Sequence, residues 1–214
     1  MGIEFNELFD QWAESYDSTV AGFDLEYKDV FVKYVEILEN VAQRSGGFVL
    51  EFGVGTGNLT EKLLAGGLDV YGIEPSKGMR EKVLLKFPDL DVVDGHFLEF
   101  RAPNVQIDTI VSTYAFHHLT DEEKADALVK FHRLLGQNGR IVFADTVFVT
   151  ELAKEQKIEE SEKKGHFRLA RDLRTEYYST IPRLMEMFHA AGFDVKFEQQ
   201  NDFVWLMDAT KKER

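Results

Sequence analysis

The chain has 214 residues, 44% of them hydrophobic and 13% aromatic, a composition that predicts a folded globular protein. Its 38 acidic and 25 basic side chains leave a formal net charge of -13. This charge disfavours nucleic-acid binding, because such binding depends on Lys and Arg at the phosphates. Since the chain has no cysteine, a disulfide, a thiolate metal site and a cysteine nucleophile are all excluded.

The sequence lacks the signals that direct a chain to or across a membrane. No stretch of about 18 or more apolar residues occurs, and the first five residues have neither the basic nor the apolar region of a secretory signal. We therefore expect a cytoplasmic protein that does not span a membrane. The absence of cysteine is compatible with that reducing compartment.

The chain up to residue 149 predicts one helix and then a series of repeated strand–helix units. Before residue 45, apolar side chains at three- and four-residue spacing predict a helix with one apolar face. That face comprises Tyr27, Val30, Phe31, Tyr34, Val35 and Leu38. Over 46–149, short apolar runs alternate with amphipathic stretches, which is typical of a parallel sheet flanked by helices. The predicted strands are residues 48–52, 70–74, 91–93, 108–113 and 140–145.

Helix-capping residues predict the helix that follows the fourth strand. Thr120 and Glu123 match a capping box at the start of a helix over 121–135. Gly136 follows this stretch and could adopt the left-handed conformation that ends many helices.

The last part of the chain predicts one helix and a strand pair. Pro182 suits a first helical turn, and Gly192 stops the helix. Strands over 194–198 and 203–209 follow. Only about four residues separate them, which is too few for a crossover helix and predicts an antiparallel hairpin.

Residues 151–176 differ from the rest, because 14 of these 26 residues are Asp, Glu, Lys or Arg. We interpret this stretch as exposed helix. Lys164, Arg168 and Arg171 have helical spacing and predict a basic face that could attract an anionic acceptor, although most such faces are simply solvated.

We expect a single domain with four parts. They are an N-terminal helical cap over 1–45, a strand–helix core over 46–149, a charged helical insertion over 150–180, and the last helix with the C-terminal strand pair over 181–214.

The most informative segment is a strand that runs into three glycines and then a helix. It reads Glu51-Phe52-Gly53-Val54-Gly55-Thr56-Gly57. Glycines let the backbone turn sharply and let a ligand approach it closely. Glu74 closes the next predicted strand, and its carboxylate can accept hydrogen bonds from a ribose diol. Because ligands bind beyond the carboxyl ends of parallel strands, we predict a nucleoside site here.

The glycine spacing bears on which nucleoside is bound. Dinucleotide-binding loops favour glycines at relative positions 1, 3 and 6, whereas here they fall at 1, 3 and 5. An NAD(P)-dependent oxidoreductase is therefore an alternative that the spacing disfavours. Two further alternatives are a tight turn without a ligand and a non-catalytic nucleoside-binding regulatory module.

The segment from Glu51 to Gly57 resembles motif I of class I S-adenosylmethionine-dependent methyltransferases, and Glu74 matches the acidic residue that binds the ribose there. Almost the whole chain resembles the YrrT family of small bacterial methyltransferases, including Phe9-Asp10-Gln11-Trp12-Ala13-Glu14-Ser15-Tyr16-Asp17. The resemblance implies a Rossmann-like, doubly wound α/β sheet of seven strands, mostly parallel with a C-terminal antiparallel hairpin strand. It also implies S-adenosylmethionine as cofactor and direct in-line methyl transfer to a small-molecule acceptor.

The resemblance also assigns residues to the cofactor. The glycine loop, Gly53 with Gly55 and Gly57, would lie against the methionine part, and Glu51 would reach the amino group through water. Glu74 would hold the ribose. His96 and Phe97 fall where relatives often carry Gly-Asp-Phe, so His96 would take the place of the Asp at the adenine amino group; the alternative is an exposed loop histidine. Tyr16 would cover the cofactor as a lid residue, unless it is an ordinary core aromatic.

Ser112-Thr113-Tyr114-Ala115-Phe116-His117-His118-Leu119 follows the fourth predicted strand and resembles motif IV of small-molecule methyltransferases. Tyr114 and His117 are the candidates for substrate contact or proton removal, with structural packing as the alternative. His118 is expected to pack beside Leu119. The adjacent histidines lack the i, i+4 spacing and the accompanying carboxylate pattern of metal sites, so we predict no metal.

Overall fold

The computed structural model describes residues 14–212. Residues 9–13, which contribute to the resemblance, lie outside this range. The strands of the main sheet are β1 Phe48–Phe52, β2 Asp69–Ile73, β3 Asp91–Val93, β4 Ile107–Thr113, β5 Leu135–Thr146, β6 Phe193–Gln199 and β7 Val204–Lys211. Their order is β3-β2-β1-β4-β5-β7-β6, and β7 runs antiparallel to both of its neighbours. The remaining neighbours pair in parallel, which confirms the predicted fold class.

Helices cover both faces of this sheet. They are α1 Tyr34–Arg44, α2 Asn58–Ala65, α3 Lys77–Lys86, α4 Asp121–Leu134, α5 Glu151–Lys163, α6 Phe167–Thr175 and α7 Ile181–Ala190. Side chains alternate along β1, so that Leu50 packs with Phe131 of α4 and Phe188 of α7 on one face. Val49 faces the opposite core together with Leu38 of α1. The sheet is thus buried on both sides, as expected of parallel strands.

The prediction that the first helix begins near residue 27 is wrong. The chain forms turns up to Lys33, whose left-handed backbone has a φ of 62°, and α1 begins only at Tyr34. Tyr27 is buried as expected, but Val35 is 53% exposed. Upstream, short helical segments cover Tyr16–Ser18 and Thr19–Phe23.

The start of α4 is confirmed and its end is not. Thr120 and Glu123 form a full capping box. However, Leu135 ends the helix in an extended conformation, and the chain enters β5 directly. Gly136 lies within β5 and does not have the left-handed conformation that the prediction gave it.

The C-terminal elements agree with expectation. Pro182 lies in the first turn of α7, and Gly192 follows its end with a φ of 90°. The antiparallel hairpin of β6 and β7 is confirmed.

The charged stretch forms α5 and α6, and these helices also bury apolar side chains, such as Ile158 and Leu169. The predicted basic face is wrong. Lys164 follows the end of α5 whereas Arg168 belongs to α6, so the two do not share a helix. Within residues 14–212, no helix combines the length and the apolar character that crossing a membrane requires.

Candidate cofactor and acceptor site

The glycine loop lies at the carboxyl end of β1, and all three of its glycines have positive φ. The values are 68° for Gly53, 57° for Gly55 and 85° for Gly57, a conformation that L side chains rarely adopt. A Cβ on Gly57 would also press against Val83 of α3 at 2.6 Å. At Gly55, by contrast, no atom would lie closer than 4.0 Å to an added Cβ. The backbone at Gly55 therefore borders open space, as a ligand cradle requires.

Glu74 lies just beyond β2 and is only 4% exposed. Its carboxylate accepts hydrogen bonds from the backbone N–H of Gly55 at 2.9 Å and of Ser76 at 2.8 Å. A carboxylate that bonds to the glycine loop is placed directly beside any ligand in that loop. The sheet topology explains this proximity, because β1 and β2 are parallel neighbours whose carboxyl ends meet at one edge.

A pocket opens at this edge. Its lining brings together Tyr16, Gly53, Gly55, Glu74, Met79, Thr113, Tyr114, Ala115 and His118. Five of these were predicted from the sequence as site residues: Tyr16, Gly53, Gly55, Glu74 and Tyr114. An open glycine backbone beside a buried carboxylate fits a nucleoside that also carries positive charge, and S-adenosylmethionine has both properties.

Four of the predicted cofactor residues do not line this pocket, and three of them are Glu51, Phe97 and Gly57. Glu51 is buried and accepts a hydrogen bond from the Thr60 hydroxyl at 2.7 Å. Burial, opposed by the bond to Thr60, raises the pKa of Glu51 to about 8. Phe97 lies in the core, stacked on Phe52 with 4.8 Å between ring centroids. Gly57, packed against α3, is the third.

His96 also lies outside the pocket lining. It sits in a small hairpin that pairs Gly95–His96 with Glu99–Phe100. Its ring Nδ1 accepts a bond from the backbone N–H of Leu98 at 3.4 Å. Burial lowers the pKa of His96, which favours the neutral ring that can accept a hydrogen bond.

The segment that carries Tyr16 is tied to the glycine loop by Asp17, a contact that sequence reasoning missed. The Asp17 carboxylate accepts hydrogen bonds from the Thr56 hydroxyl at 2.6 Å and the Asn58 amide at 3.1 Å. Lys86 of α3 adds an ion pair at 3.3 Å. These bonds hold the Tyr16 side chain over the pocket.

A second pocket adjoins the first. The two pockets share Tyr16, Tyr114 and His118. Tyr114 has a φ of 52°, which is strained for a residue with a side chain. Its buried hydroxyl has no hydrogen-bond partner among residues 14–212. Strain and an unpartnered polar group at the junction of two pockets are typical of a ligand-binding position.

His117 lines the second pocket and lies between two carboxylates. Its Nδ1 is 2.5 Å from Asp145 and its Nε2 is 3.2 Å from Glu176, while its ring stacks on Tyr178. Burial opposes the charge, but Asp145 and Glu176 prevail and raise the pKa of His117 to about 10. At neutral pH the ring therefore already holds both of its protons, which argues against proton removal by His117.

His118 has the opposite electrostatics. Burial, reinforced by the neighbouring His117, lowers the pKa of His118 to about 3. The neutral ring lines both pockets, so the expectation that it only packs beside Leu119 is incomplete.

The carboxylates of this cluster come from distant parts of the chain. Asp145 ends the apolar run of β5, a position that could have marked it as a site residue. Glu176 follows α6 within the charged stretch, where nothing distinguishes it by sequence. Potential ligand atoms of His117, His118 and Glu176 lie within 4.8 Å of one another. A carboxylate therefore does lie beside the two histidines, contrary to what the sequence predicted. The absence of a metal stays a prediction.

The comparisons with known proteins agree with this architecture. Residues 50–141 match the family described as "Methyltransferase domain". The chain is 55% identical over 213 residues to an uncharacterized methyltransferase of Bacillus cytotoxicus, across 99% of this chain and 100% of the relative. A methyltransferase of Bacillus thuringiensis is 54% identical with the same coverage.

Solved structures show the same fold at low identity. The magnesium protoporphyrin IX methyltransferase of Synechocystis PCC 6803, solved with S-adenosylhomocysteine, has a TM-score of 0.75 at 15% identity, covering 99% of this chain and 100% of that one. A Thermotoga maritima protein described as a possible histamine N-methyltransferase has a TM-score of 0.68 at 16% identity, covering 97% and 100%.

The sheet order, together with a glycine loop and an acidic residue at its carboxyl edge, defines a class I S-adenosylmethionine-dependent methyltransferase. S-adenosylmethionine is therefore the cofactor. The chain belongs to the same methyltransferase family as the Bacillus proteins. The narrower resemblance to the YrrT family stays a prediction.

Proposed function

We propose that this methyltransferase acts on a small-molecule acceptor held in the second pocket, with the cofactor in the first. The observation that carries the proposal is that the two pockets meet at Tyr16, Tyr114 and His118. A molecule in each pocket would therefore be in contact at this junction. Gly53, Gly55 and Glu74 would hold the cofactor, and Tyr16 would cover it.

The proposed reaction is a direct in-line displacement. The bound cofactor supplies an activated methyl group, so that the acceptor's lone pair forms the new bond to carbon while the carbon–sulfur pair stays on sulfur. The chain's own task is alignment, which can be worth about 7–11 kcal/mol in such reactions. Tyr114 would orient the acceptor through its hydroxyl, which has no hydrogen-bond partner among residues 14–212.

The proposed roles of the remaining predicted residues follow from their positions. Glu51 and Gly57 would shape the glycine loop from beneath, and Phe97 would support it through the core. His96 would lie at the adenine end of the cofactor, beside the lining of the first pocket and not within it. His117 would position Glu176 at the acceptor pocket rather than remove a proton itself.

We propose that the acceptor is not a nucleic acid and that the protein does not act at a membrane. The net charge of -13 opposes binding of a phosphate backbone. The basic side chains expected to draw an anion are engaged elsewhere, since Lys164 pairs with Asp29 at 2.7 Å and Arg168 with Asp24 at 2.8 Å.

Two experiments test the proposal. The first is calorimetry with S-adenosylhomocysteine and with NAD, and the second follows a labelled methyl group from the cofactor into a mixture of metabolites. We expect S-adenosylhomocysteine to bind and NAD not to bind, and we expect the labelled methyl group to appear in a small molecule. Binding of NAD alone would indicate an oxidoreductase. Cofactor binding without transfer to any acceptor would instead favour a non-catalytic nucleoside-binding module.

A further inference from the structure

The charge of the second pocket is unbalanced. Asp172 and Glu176 both line it, and His117 is the cationic side chain beside them. Both ring nitrogens of His117 already face carboxylates, those of Asp145 and Glu176. Among the described residues, no Lys or Arg lines this pocket.

The nearby basic side chains are held away from the pocket interior. Arg168 spans the Asp24 and Glu26 carboxylates at 2.8 and 2.7 Å on the outer side of Tyr27. The Tyr27 hydroxyl in turn donates a hydrogen bond to Asp172. Arg171, whose side chain is 70% exposed, pairs with the other Asp172 oxygen at 3.4 Å. The oxygen that Tyr27 contacts has a neutral hydroxyl as its partner, where a cation would be the stronger partner.

The walls of the pocket are aromatic. They consist of Tyr16, Tyr27, Phe31, Tyr114, Tyr178 and Phe203. Aromatic faces attract cations, and the attraction is stronger where the ring and the cation are shielded from water. Aromatic walls with carboxylates at one end are the complementary surface for an organic ammonium group.

We propose that the acceptor is a small organic amine, which enters as its ammonium ion between Asp172, Glu176 and the aromatic walls. This inference rests on the proposed function and names the substrate class of the same site. The phenolic oxygen of Tyr114, unpartnered among residues 14–212, accepts an N–H bond from the bound amine. An anionic acceptor would instead meet two carboxylates in a partly desolvated pocket.

The proton balance of the reaction assigns a role to Asp172. An ammonium must lose one proton before its nitrogen has a lone pair, and Asp172 takes that proton and passes it to water. Burial, together with the negative charge of Glu176, raises the pKa of Asp172 despite the bond from Tyr27. Glu176 is less suited to this step, because burial is outweighed by bonds from His117 and Tyr178, and the pKa of Glu176 falls to about 2.

The test is calorimetry on the full chain loaded with S-adenosylhomocysteine, using probes that cannot be methylated at nitrogen. The cationic probes are tetramethylammonium and benzyltrimethylammonium, and benzyl alcohol and phenylacetate are the neutral and anionic comparisons. We expect the benzyl cation to bind roughly tenfold or more tightly than either comparison. Asp172→Asn should remove most of this preference and leave the affinity for benzyl alcohol within about twofold.

Two further variants make the outcome decisive. Glu176→Gln should also weaken cation binding, whereas Glu162→Gln removes the same charge from α5 outside the pocket and should change nothing. The proposal is overturned if the alcohol or phenylacetate binds as well as the cation, if no cation binds, or if Asp172→Asn keeps the preference. Failure of S-adenosylhomocysteine to bind in the first step would overturn the proposed function instead, so the two failures are distinguishable.

Discussion

The backbone N–H of Gly55 donates a hydrogen bond to the Glu74 carboxylate at 2.9 Å, joining the loop after β1 to the end of β2. This bond links the shape of the glycine loop to the position of the carboxylate. A variant that removes Glu74 therefore acts on both the proposed ribose contact and the loop.

Replacing Glu74 with Ala should weaken binding of S-adenosylhomocysteine about 10- to 150-fold, because it removes a charged acceptor worth about 1.5–3 kcal/mol. It should also lower stability, since the backbone N–H groups of Gly55 and Ser76 lose their partner. Calorimetry and urea denaturation measure the two effects. Glu81→Ala, which removes an exposed carboxylate on α3, is the control. Unchanged affinity in a folded Glu74→Ala protein would show that the ribose binds elsewhere.

Replacing Tyr114 with Phe should slow methyl transfer while sparing cofactor affinity. The hydroxyl has no partner among residues 14–212, so its removal should not lower stability and could raise it slightly. Steady-state kinetics with the labelled cofactor and calorimetry separate the two readouts. Tyr71→Phe is the matched control, because its hydroxyl bonds to the Arg101 carbonyl away from both pockets. Weaker cofactor binding in Tyr114→Phe would show that the Tyr114 hydroxyl contacts the cofactor and not the acceptor.

The parts of the fold that sequence predicts well are those with local signals. β1 and β3 match their predicted bounds, because each is a short apolar run between polar or glycine-rich turns. The glycine loop and Glu74 are likewise recognisable from spacing alone. The loop backbone and the Glu74 side chain meet because neighbouring parallel strands end at the same edge of the sheet.

The parts that escape prediction depend on long-range contacts. The turn before α1 is held by the Asn201 amide, which donates to the Val30 and Val32 carbonyls from the far end of the chain. The pairing of His117 with Asp145 and Glu176 joins segments 28 and 59 residues away. No local pattern marks such partners, since only the folded sheet brings them together.

Replacing His117 with Ala should destabilise the protein by about 3–5 kcal/mol, because it leaves the buried Asp145 and Glu176 carboxylates without their shared cation. The exposed His189→Ala variant should have little effect. Urea denaturation measures both. In a double-mutant cycle, adding Glu176→Gln to His117→Ala should cost less than the sum of the two single changes. Additive effects would contradict the ion pair.

Removing divalent metal with EDTA should leave both activity and stability unchanged. The reason is that a metal at His117, His118 and Glu176 would have to displace a proton from His117, whose pKa is raised to about 10 by two carboxylates that outweigh burial. Turnover measured before and after chelation, with metal analysis of the purified protein, checks this. Loss of activity that returns with added zinc would identify a metal centre at this cluster.

Replacing Glu51 with Gln should make the protein less sensitive to rising pH. Burial raises the pKa of Glu51 to about 8 from an unfolded value near 4.5, so the folded state holds the proton over that window. At this group the folded state then binds more protons than the unfolded state, so the contribution of Glu51 to the free energy of unfolding falls as pH rises from 4.5 to 8. Gln accepts the Thr60 bond without titrating, so the stability of the variant relative to wild type should grow by up to about 1.4 kcal/mol per pH unit and level off above pH 8. Urea denaturation at pH 5 to 9 measures the difference, with the exposed Glu61→Gln as control. A difference that does not change with pH would show that Glu51 is ionised in the fold.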